Sequence, residues 1–483
     1  MTRRYLLLSG AGVACLAVLA GALIAQGRAD RSKAPSLGPA PKLTLPAIQK
    51  LALSNGLPVW LVESHEVPLV QVSLLVQAGG NDDPATKFGV ASLTAAMLDE
   101  GAGTRDALAI ADAVEVLGAE LTTTSSSDAS AVRLNVPVAQ LGEALPIMAD
   151  VALRPTFPQG ELDRLRQELI TSLIQARDDP ASIIPMAFGR VVFGATHRYG
   201  TGGIGTTTTL KGFTTTDLRT FHSSMYRPSN ATLLVVGDVQ RTTIVPQLEK
   251  QFGSWPSSGP VTRTSVPTAP QLTDRQVVIV DVPQAAQSQI RLGWIGVSRS
   301  TPDYFTLQVL NTVLGGSFTS RLNLNLREEH QYTYGASSRF DMRLSPASFA
   351  AGAGVQTDKT SESLKEFFNE LDAIAKPVGA DELSKAKNYI ILGFPSEFET
   401  IGDLSAHLEE MIVYKLPDDY FDRYSANIQA VTSAAVAKAA ATYIQPQKFA
   451  VVVVGDRKVI EPGIRALKLG SVKAVTVTEL LGP

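Results

Sequence analysis

The sequence predicts an α+β fold made of two similar α/β domains, each consisting of a sheet covered by helices. Two observations support this fold class. The same order of elements occurs twice, and each round ends in an apolar strand and a Gly-Asp pair, first at Gly237 and about 218 residues later at Gly455. In both halves, strands that alternate apolar and polar residues are mixed with long helical segments. A period of this length is too long for a solenoid repeat and is typical of a duplicated domain.

The elements follow the same order in the two halves. The first half is predicted to contain strands at 69–76, 131–136 and 233–236, and helices at 88–99 and 159–177. The second half is predicted to contain strands at 290–295, 349–355 and 451–454, and helices at 304–314 and 361–375. Alternating or continuous apolar residues over a short run indicate the strands, and longer periodic segments indicate the helices.

Turn-forming residues separate the two halves. Residues 252–270 are rich in Pro, Gly, Ser and Thr, which predicts an interdomain linker at 256–270. The first domain then occupies 47–255 and the second 271–483. Both are close to the usual domain size of about 100–200 residues.

The N-terminal segment predicts export. Arg3 and Arg4 precede an uncharged, mostly apolar run that ends at Ala25, and a Pro-rich linker follows at 26–46. This is the layout of a signal peptide at 1–25, which predicts a location in the bacterial periplasm. The run is also about long enough to span a bilayer, so an uncleaved inner-membrane anchor is the alternative.

The composition argues against several kinds of site. A formal net charge of -3 and an isoelectric point near 6.0, without a basic stripe, disfavour nucleic-acid binding. Apolar residues make up 45% of the chain and charged residues 18%, which is ordinary for a folded globular protein. The single cysteine, Cys15, permits neither an intrachain disulfide nor a cysteine-built metal site.

One predicted helix has the flanks of a zinc motif but lacks the zinc ligands. Between Gly89 and Gly101, the positions of an H-x-x-E-H pattern are occupied by Ser92, Ala95 and Ala96. In a helix that pattern turns two imidazoles and a carboxylate toward one site. A hydroxyl and two methyl groups cannot replace these ligands, so this helix is not expected to bind catalytic zinc.

These flanks, together with the later segment Tyr226-Arg-Pro-Ser-Asn230, resemble the pitrilysin/insulinase (inverzincin) metallopeptidase family. The resemblance extends from about Leu51 to Asp456 and implies that the two domains form half of a clam-shell chamber. It also places Glu168 at the position of the third zinc ligand. One carboxylate cannot hold zinc without the two histidines.

The second half resembles the family at a pair of substrate-binding residues. In the family motif an Arg and a Tyr lie seven residues apart, and these positions are Arg327 and Tyr334 here. The resemblance implies that the pair grips the peptide backbone and supports charge on the attacked carbonyl, since a guanidinium and a phenol supply donors. The structural alternative is a salt bridge from Arg327 to a nearby Glu, with Tyr334 packed in a sheet. Tyr332, expected on the same strand face, replaces Tyr334 if the register is shifted.

Other chemistry is weakly supported. The histidines show no i, i+4 pair and are expected to be structural or exposed: His65, His197, His222, His330 and His407. The glycine-rich turn at 199–205 lacks the Lys-Ser/Thr of a phosphate loop and resembles a turn of the same family. Ser92 has no histidine or lysine base near it in sequence, which disfavours a nucleophilic role.

The leading hypothesis is a non-catalytic subunit of a heterodimeric zinc metallopeptidase. A homologous partner subunit carrying H-x-x-E-H supplies the zinc, this chain holds no cofactor, and Arg327 and Tyr334 contact the peptide substrate. The alternative is a peptide-binding or assembly protein of the same fold without proteolysis. A self-sufficient peptidase is disfavoured because its metal ligands are missing. Membrane contact is expected only if the N-terminal segment stays uncleaved.

Overall fold

The computed structural model describes Gly38 and residues 43–257 and 259–482. The signal peptide or anchor predicted at 1–25 lies outside the described residues, as does most of the linker predicted at 26–46. Within the described part of the chain, no helix combines the length and the apolar character that a membrane span requires. Both halves belong to one compact unit, Lys42–Pro483.

The first half is built on a six-stranded sheet. Its strands are β1 (Gln49–Ala52), β2 (Pro58–Glu63), β3 (Leu69–Val76), β6 (Glu120–Ser125), β7 (Ser130–Pro137) and β8 (Ala231–Gly237), and β4 (Gly101–Ala102) and β5 (Arg105–Asp106) form a separate ribbon. Its helices are α1 (Val90–Ala96), α2 (Ala107–Val116), α3 (Leu141–Leu153), α4 (Gln159–Gln175), α5 (Pro180–Phe193), α6 (Thr207–Gly212), α7 (Thr215–Met225) and α8 (Arg241–Phe252).

The second half is built on another six-stranded sheet. Its strands are β9 (Gln276–Asp281), β10 (Gln287–Ile295), β11 (Thr333–Met342), β12 (Pro346–Gln356), β13 (Ala450–Gly455) and β14 (Ser471–Thr476). Its helices are α9 (Tyr304–Leu314), α10 (Arg321–Asn323), which continues into a π-helical turn at Leu324–Glu329, α11 (Thr360–Ala373), α12 (Ala380–Gly393), α13 (Ile401–Tyr414), α14 (Tyr420–Ala430), α15 (Ser433–Tyr443), α16 (Arg457–Ala466) and α17 (Val477–Leu481).

Five strands of the two sheets correspond in order and direction. The first sheet has the order β1-β2-β8-β3-β7-β6 and the second has β14-β9-β13-β10-β12-β11. The parallel pair β2 and β8 corresponds to the parallel pair β9 and β13. Only the outermost strand beside this pair differs, because β1 is antiparallel to β2 whereas β14 is parallel to β9. The prediction of two homologous α/β domains is confirmed.

Each half contributes a helix to the sheet of the other half. Ile184 and Phe188 on α5 pack with Val280 and other residues on one face of the second sheet. On α13 of the second half, Leu408 packs in the same way on the first sheet. The other face of each sheet is covered by helices of its own half. The central strands of both sheets are therefore covered on two faces, and every residue of β8 and of β13 is buried.

Leu408→Ala tests this shared core. Leu408 is 1% exposed, and truncating a buried leucine costs about 2–5 kcal/mol of unfolding free energy. Each half holds part of the core of the other half. We therefore expect one cooperative unfolding transition in urea, with its midpoint at a lower urea concentration than in the wild type. Leu108→Ala is the control, because Leu108 is 76% exposed and should change the free energy by no more than about 0.5 kcal/mol. Two separate unfolding transitions, with the midpoint of only one of them changed by the substitution, would contradict a shared core.

Candidate functional site

The buried carboxylate of Asp83 fixes the start of helix α1, the helix that resembles a zinc helix. Its two oxygens accept hydrogen bonds from the backbone N–H groups of Gly89 at 2.6 Å and Ala91 at 2.9 Å. These N–H groups have no acceptor within the helix, so the carboxylate satisfies them and complements the helix dipole. The side chain of Arg198 donates to the backbone carbonyl of Asp83 at 2.6 Å, which holds the same loop from the other side.

The environment of Asp83 opposes its charge. The residue is 2% exposed, and the removal of water raises the pKa of its carboxyl group to about 7. The two backbone hydrogen bonds and the guanidinium of Arg198 lower the pKa, but by less than burial raises it. Asp83 therefore changes its protonation close to neutral pH.

The glycine-rich turn at 199–205 packs directly against the start of α1. Gly89 has φ 101°, and a Cβ atom there would lie 2.4 Å from the carbonyl oxygen of Ile204. Only glycine meets both requirements. This left-handed residue is also the reason that α1 begins at Val90 and not at residue 88, where the sequence predicted it. The hydroxyl of Ser92 donates to the carbonyl oxygen of Gly203 at 2.8 Å, and so joins helix and turn.

The residues at the zinc-ligand positions do not fit a zinc ion. Ser92 is held as a donor to a carbonyl, and Ala95 and Ala96 offer only methyl groups. Glu168 on α4 is ion-paired with Arg164 at 3.0 Å, and its side chain is 58% exposed. Within the described residues, no three His, Cys, Asp or Glu side chains come together as a group able to hold a metal ion.

Arg327 lies in the π-helical turn that follows α10. Its guanidinium carbon is 4.4 Å from the ring centroid of Phe318, a cation–π contact. Its Nε atom is 3.5 Å from the carboxylate of Glu328, and its side chain is 34% exposed. The guanidinium thus keeps donor groups toward solvent. Single π-helical turns occur frequently at functional sites.

Tyr334 and Tyr332 differ strongly in their surroundings. Tyr334 is 90% exposed near the start of β11. Tyr332 is half-buried, stacks on His330 with the ring centroids 5.0 Å apart, and packs against the second core. The expectation that both lie on the same face of a strand was wrong, because β11 begins at Thr333 and its pairing with β12 shifts register before Ala336.

A cavity of about 630 Å³ lies between the two halves and includes Ser92 in its wall. The buried carboxylate of Asp128 beside it accepts hydrogen bonds from both halves. Asn81 donates at 2.7 Å from the first half, and the backbone N–H of Leu344 donates at 3.1 Å from the second. Burial raises the pKa of Asp128, and the nearby cation of Arg343 is among the groups that lower it. Asp128 therefore ties the second half to the loop before α1.

Sequence reasoning did not identify the two carboxylates that organise this region. Asp83 belongs to the run Asn81-Asp-Asp-Pro84 between β3 and α1. Such a polar run just before a helix is a capping signal, so it was accessible from the sequence. Asp128 offered no comparable signal, since its partners lie far along the chain. The histidines also have individual partners: for example, His65 contacts Asp238 at 2.7 Å and His222 contacts the carbonyl oxygen of Ala152 at 2.9 Å.

Two models of one peptidase family match the chain. Residues 59–189 match the model described as insulinase (peptidase family M16), and residues 212–390 match the model described as the peptidase M16 inactive domain. The first match lies within the first half, and the second begins at the end of α6 in the first half and extends into α12 of the second half.

Individual proteins agree with the family models. An uncharacterized zinc protease of Mycobacterium leprae is 26% identical over 318 residues, which are 66% of this chain and 69% of that protein. A solved structure of a peptidase M16 inactive domain from Pseudomonas fluorescens has 25% sequence identity and a TM-score of 0.78, covering 85% of this chain and 98% of that chain. The periplasmic protease PqqL from Escherichia coli shares the fold, with a TM-score of 0.71 at 17% identity, and covers 90% of this chain but 52% of that chain.

Asp83→Asn should alter the dependence of stability on pH. A carboxyl group whose pKa rises from 3.8 to about 7 on folding stabilises the protein fully only below pH 3.8, and this contribution is lost as the pH rises through 7. The amide does not titrate. The unfolding free energy of the wild type minus that of the variant should therefore fall between pH 4 and 8, by at most about 4 kcal/mol. Urea unfolding across this range measures it, and a constant difference would contradict the assignment.

Proposed function

The chain belongs to the M16 (insulinase) peptidase family, and we propose that it is the non-catalytic subunit of a heterodimeric zinc peptidase. One observation carries the proposal: α1 lacks zinc ligands at Ser92, Ala95 and Ala96, whereas Arg327 and Tyr334 keep their functional groups accessible. A homologous subunit with H-x-x-E-H supplies the zinc. This chain closes the chamber and contributes to the binding of the peptide.

Arg327 and Tyr334 support the transition state in this proposal. When water attacks a peptide carbonyl, negative charge develops on the oxygen, and donors aimed at that charge lower the barrier. The exposed phenol of Tyr334 donates one hydrogen bond. The guanidinium of Arg327, held beside Phe318, provides a fixed positive charge and further donors. Tyr332 is already packed against the second core and is not assigned this role.

The peptide is proposed to bind by backbone pairing at a sheet edge. Strand β6 (Glu120–Ser125) ends the first sheet and pairs on one side only, with β7. A peptide added as a strand forms hydrogen bonds with the free backbone groups of such an edge, and these bonds do not depend on the side chains of the peptide. This mode predicts broad specificity for peptide sequence.

The proposed location is the bacterial periplasm. The signal-like segment at 1–25 supports export, and PqqL, described as a periplasmic protease, shares the fold. Sequencing the N-terminus of the native protein tests this, because a cleaved signal peptide would remove the charged start and the apolar run. A retained segment would indicate an inner-membrane anchor.

Reconstitution tests the subunit assignment. The purified chain should show no peptidase activity and no stoichiometric zinc, because its helix lacks ligands. Co-purification from native extract, followed by mass spectrometry, should recover an M16 subunit with H-x-x-E-H, and mixing the two should restore cleavage. Zinc-dependent cleavage by this chain alone would overturn the proposal. A peptide-binding chain for which no such partner restores cleavage would be a binding protein without proteolysis.

Arg327→Ala and Tyr334→Phe should each lower kcat of the reconstituted complex by about 10²-fold, the lower range for the loss of one oxyanion donor. Tyr332→Phe is a matched control, since it also removes a phenolic hydroxyl, but from a half-buried ring two residues earlier in the chain. The control should leave kcat nearly unchanged. Wild-type turnover in all three variants would contradict the assigned role. A loss of turnover only in Tyr332→Phe would assign the role to Tyr332.

A further inference from the structure

The second sheet has an open groove whose floor carries almost no side chains. The groove has a volume of about 600 Å³ and follows strands β10, β12 and β11. Its floor is the central strand β12, which contributes Ser348, Ala350, Gly352 and Gly354 to the lining. Since these side chains are small or absent, the peptide backbone of β12 is accessible between the two flanking strands.

Two arginines stand on opposite sides of this floor. Arg291 on β10 is paired with Gly352, and Arg339 on β11 is paired with Ala350. Neighbouring strands are about 4.8 Å apart and the two pairing positions on β12 differ by two residues, so the backbones of the two arginines are about 12 Å apart, with only β12 between them. Both side chains are long enough to reach over the floor toward a common ligand.

These two arginines have no carboxylate partner within the described part of the chain. Arg339 is exposed, and no hydrogen bond or ion pair engages its side chain there. Arg291 is half-buried, with its guanidinium carbon 6.0 Å from the ring centroid of Phe188. Burial lowers the pKa of Arg291, and no acidic group counteracts that effect. Arg343 differs, because Asp341 forms an ion pair with it at 2.6 Å.

The groove is therefore positively charged in a protein that is negative overall. Its lining contains three arginines and one aspartate, a net charge of +2, against a formal net charge of -3 for the chain. Desolvating a guanidinium without a counter-ion is costly. A ligand that brings carboxylates recovers this cost by forming charge-assisted hydrogen bonds.

The position of the groove connects it to the proposed peptide path. Gly335 at one end is the neighbour of Tyr334 in the chain. At the other end, Arg339, Asp341 and Arg343 line both the groove and the cavity that contains Ser92. A peptide that occupies this cavity can thus extend into the groove.

We propose that Arg291 and Arg339 bind acidic side chains of the peptide, so that this subunit selects peptides with a Glu- or Asp-containing segment. The assignment rests on the proposed function, because it takes the occupant to be the peptide substrate. It adds a side-chain preference to backbone pairing, which by itself is unselective. The preference is electrostatic and weakens as salt concentration rises.

Peptide binding to the purified full chain tests the proposal without a partner subunit. A short fluorescein-labelled peptide with a central run of glutamates is compared with the same peptide carrying glutamines, by fluorescence polarisation. The glutamate peptide should bind about tenfold more tightly, as expected for one or two hydrogen bonds to charged groups. Arg291→Gln and Arg339→Gln should each reduce this ratio, and the double variant should bring it close to one.

Arg241→Gln is the matched control, because it removes one positive charge at an exposed position on the first half and should keep the ratio. Arg339 is exposed, so Arg339→Gln remains informative even if Arg291→Gln lowers the melting temperature. Equal binding of the two peptides, or a preference that persists in the double variant, would overturn the proposal. Displacement of the glutamate peptide by an equal concentration of inorganic phosphate would also overturn it, by assigning the arginines to a free anion.

The binding assay separates this inference from the subunit assignment. If the chain prefers the glutamate peptide but no partner restores cleavage, the groove selects acidic peptides and the assignment as a peptidase subunit is contradicted. If a partner restores cleavage but the two peptides bind equally, the peptidase role stands and the acid preference fails.

Discussion

The structure depends on covering both faces of two sheets with a limited number of helices. Each half has enough helices of its own for one face, and the central strands are covered on the second face by a helix from the other half, α5 in one direction and α13 in the other. The ion pair of Arg133 on β7 with Glu409 on α13, at 2.8 Å, strengthens one of these contacts. The halves are consequently fixed against each other. The cavity containing Ser92 and the groove above β12 depend on this arrangement, since both have walls from the two halves.

Much of the architecture was predictable because local sequence patterns determine the helices and strands. The strand at 69–76 and the helix at 304–314 have the predicted bounds, and the duplication follows from two Gly-Asp pairs. The exchange of α5 and α13 was not predictable. The apolar residues of α5 would pack on any apolar sheet face, so periodicity shows that the helix is buried but not against which sheet.

The candidate site was predictable in its composition and less so in its surroundings. The loss of zinc ligands at Ser92, Ala95 and Ala96 is a matter of residue identity and is visible in the sequence. The different exposure of Tyr332 and Tyr334 is not, because it arises from a shift in strand pairing that depends on β12. That Arg291 and Arg339 have no carboxylate partner among the described residues likewise depends on which strands become neighbours.

The exchanged helices have a consequence for synthesis on the ribosome. Strand β8 ends at Gly237, but α13, which covers one face of its sheet, begins only at Ile401. An apolar sheet surface of the nascent first half is thus exposed while the intervening chain is translated, and exposed surfaces of this kind are prone to aggregation. Chaperones that hold unfolded chains are therefore expected to engage the growing polypeptide in this interval, until α13 docks.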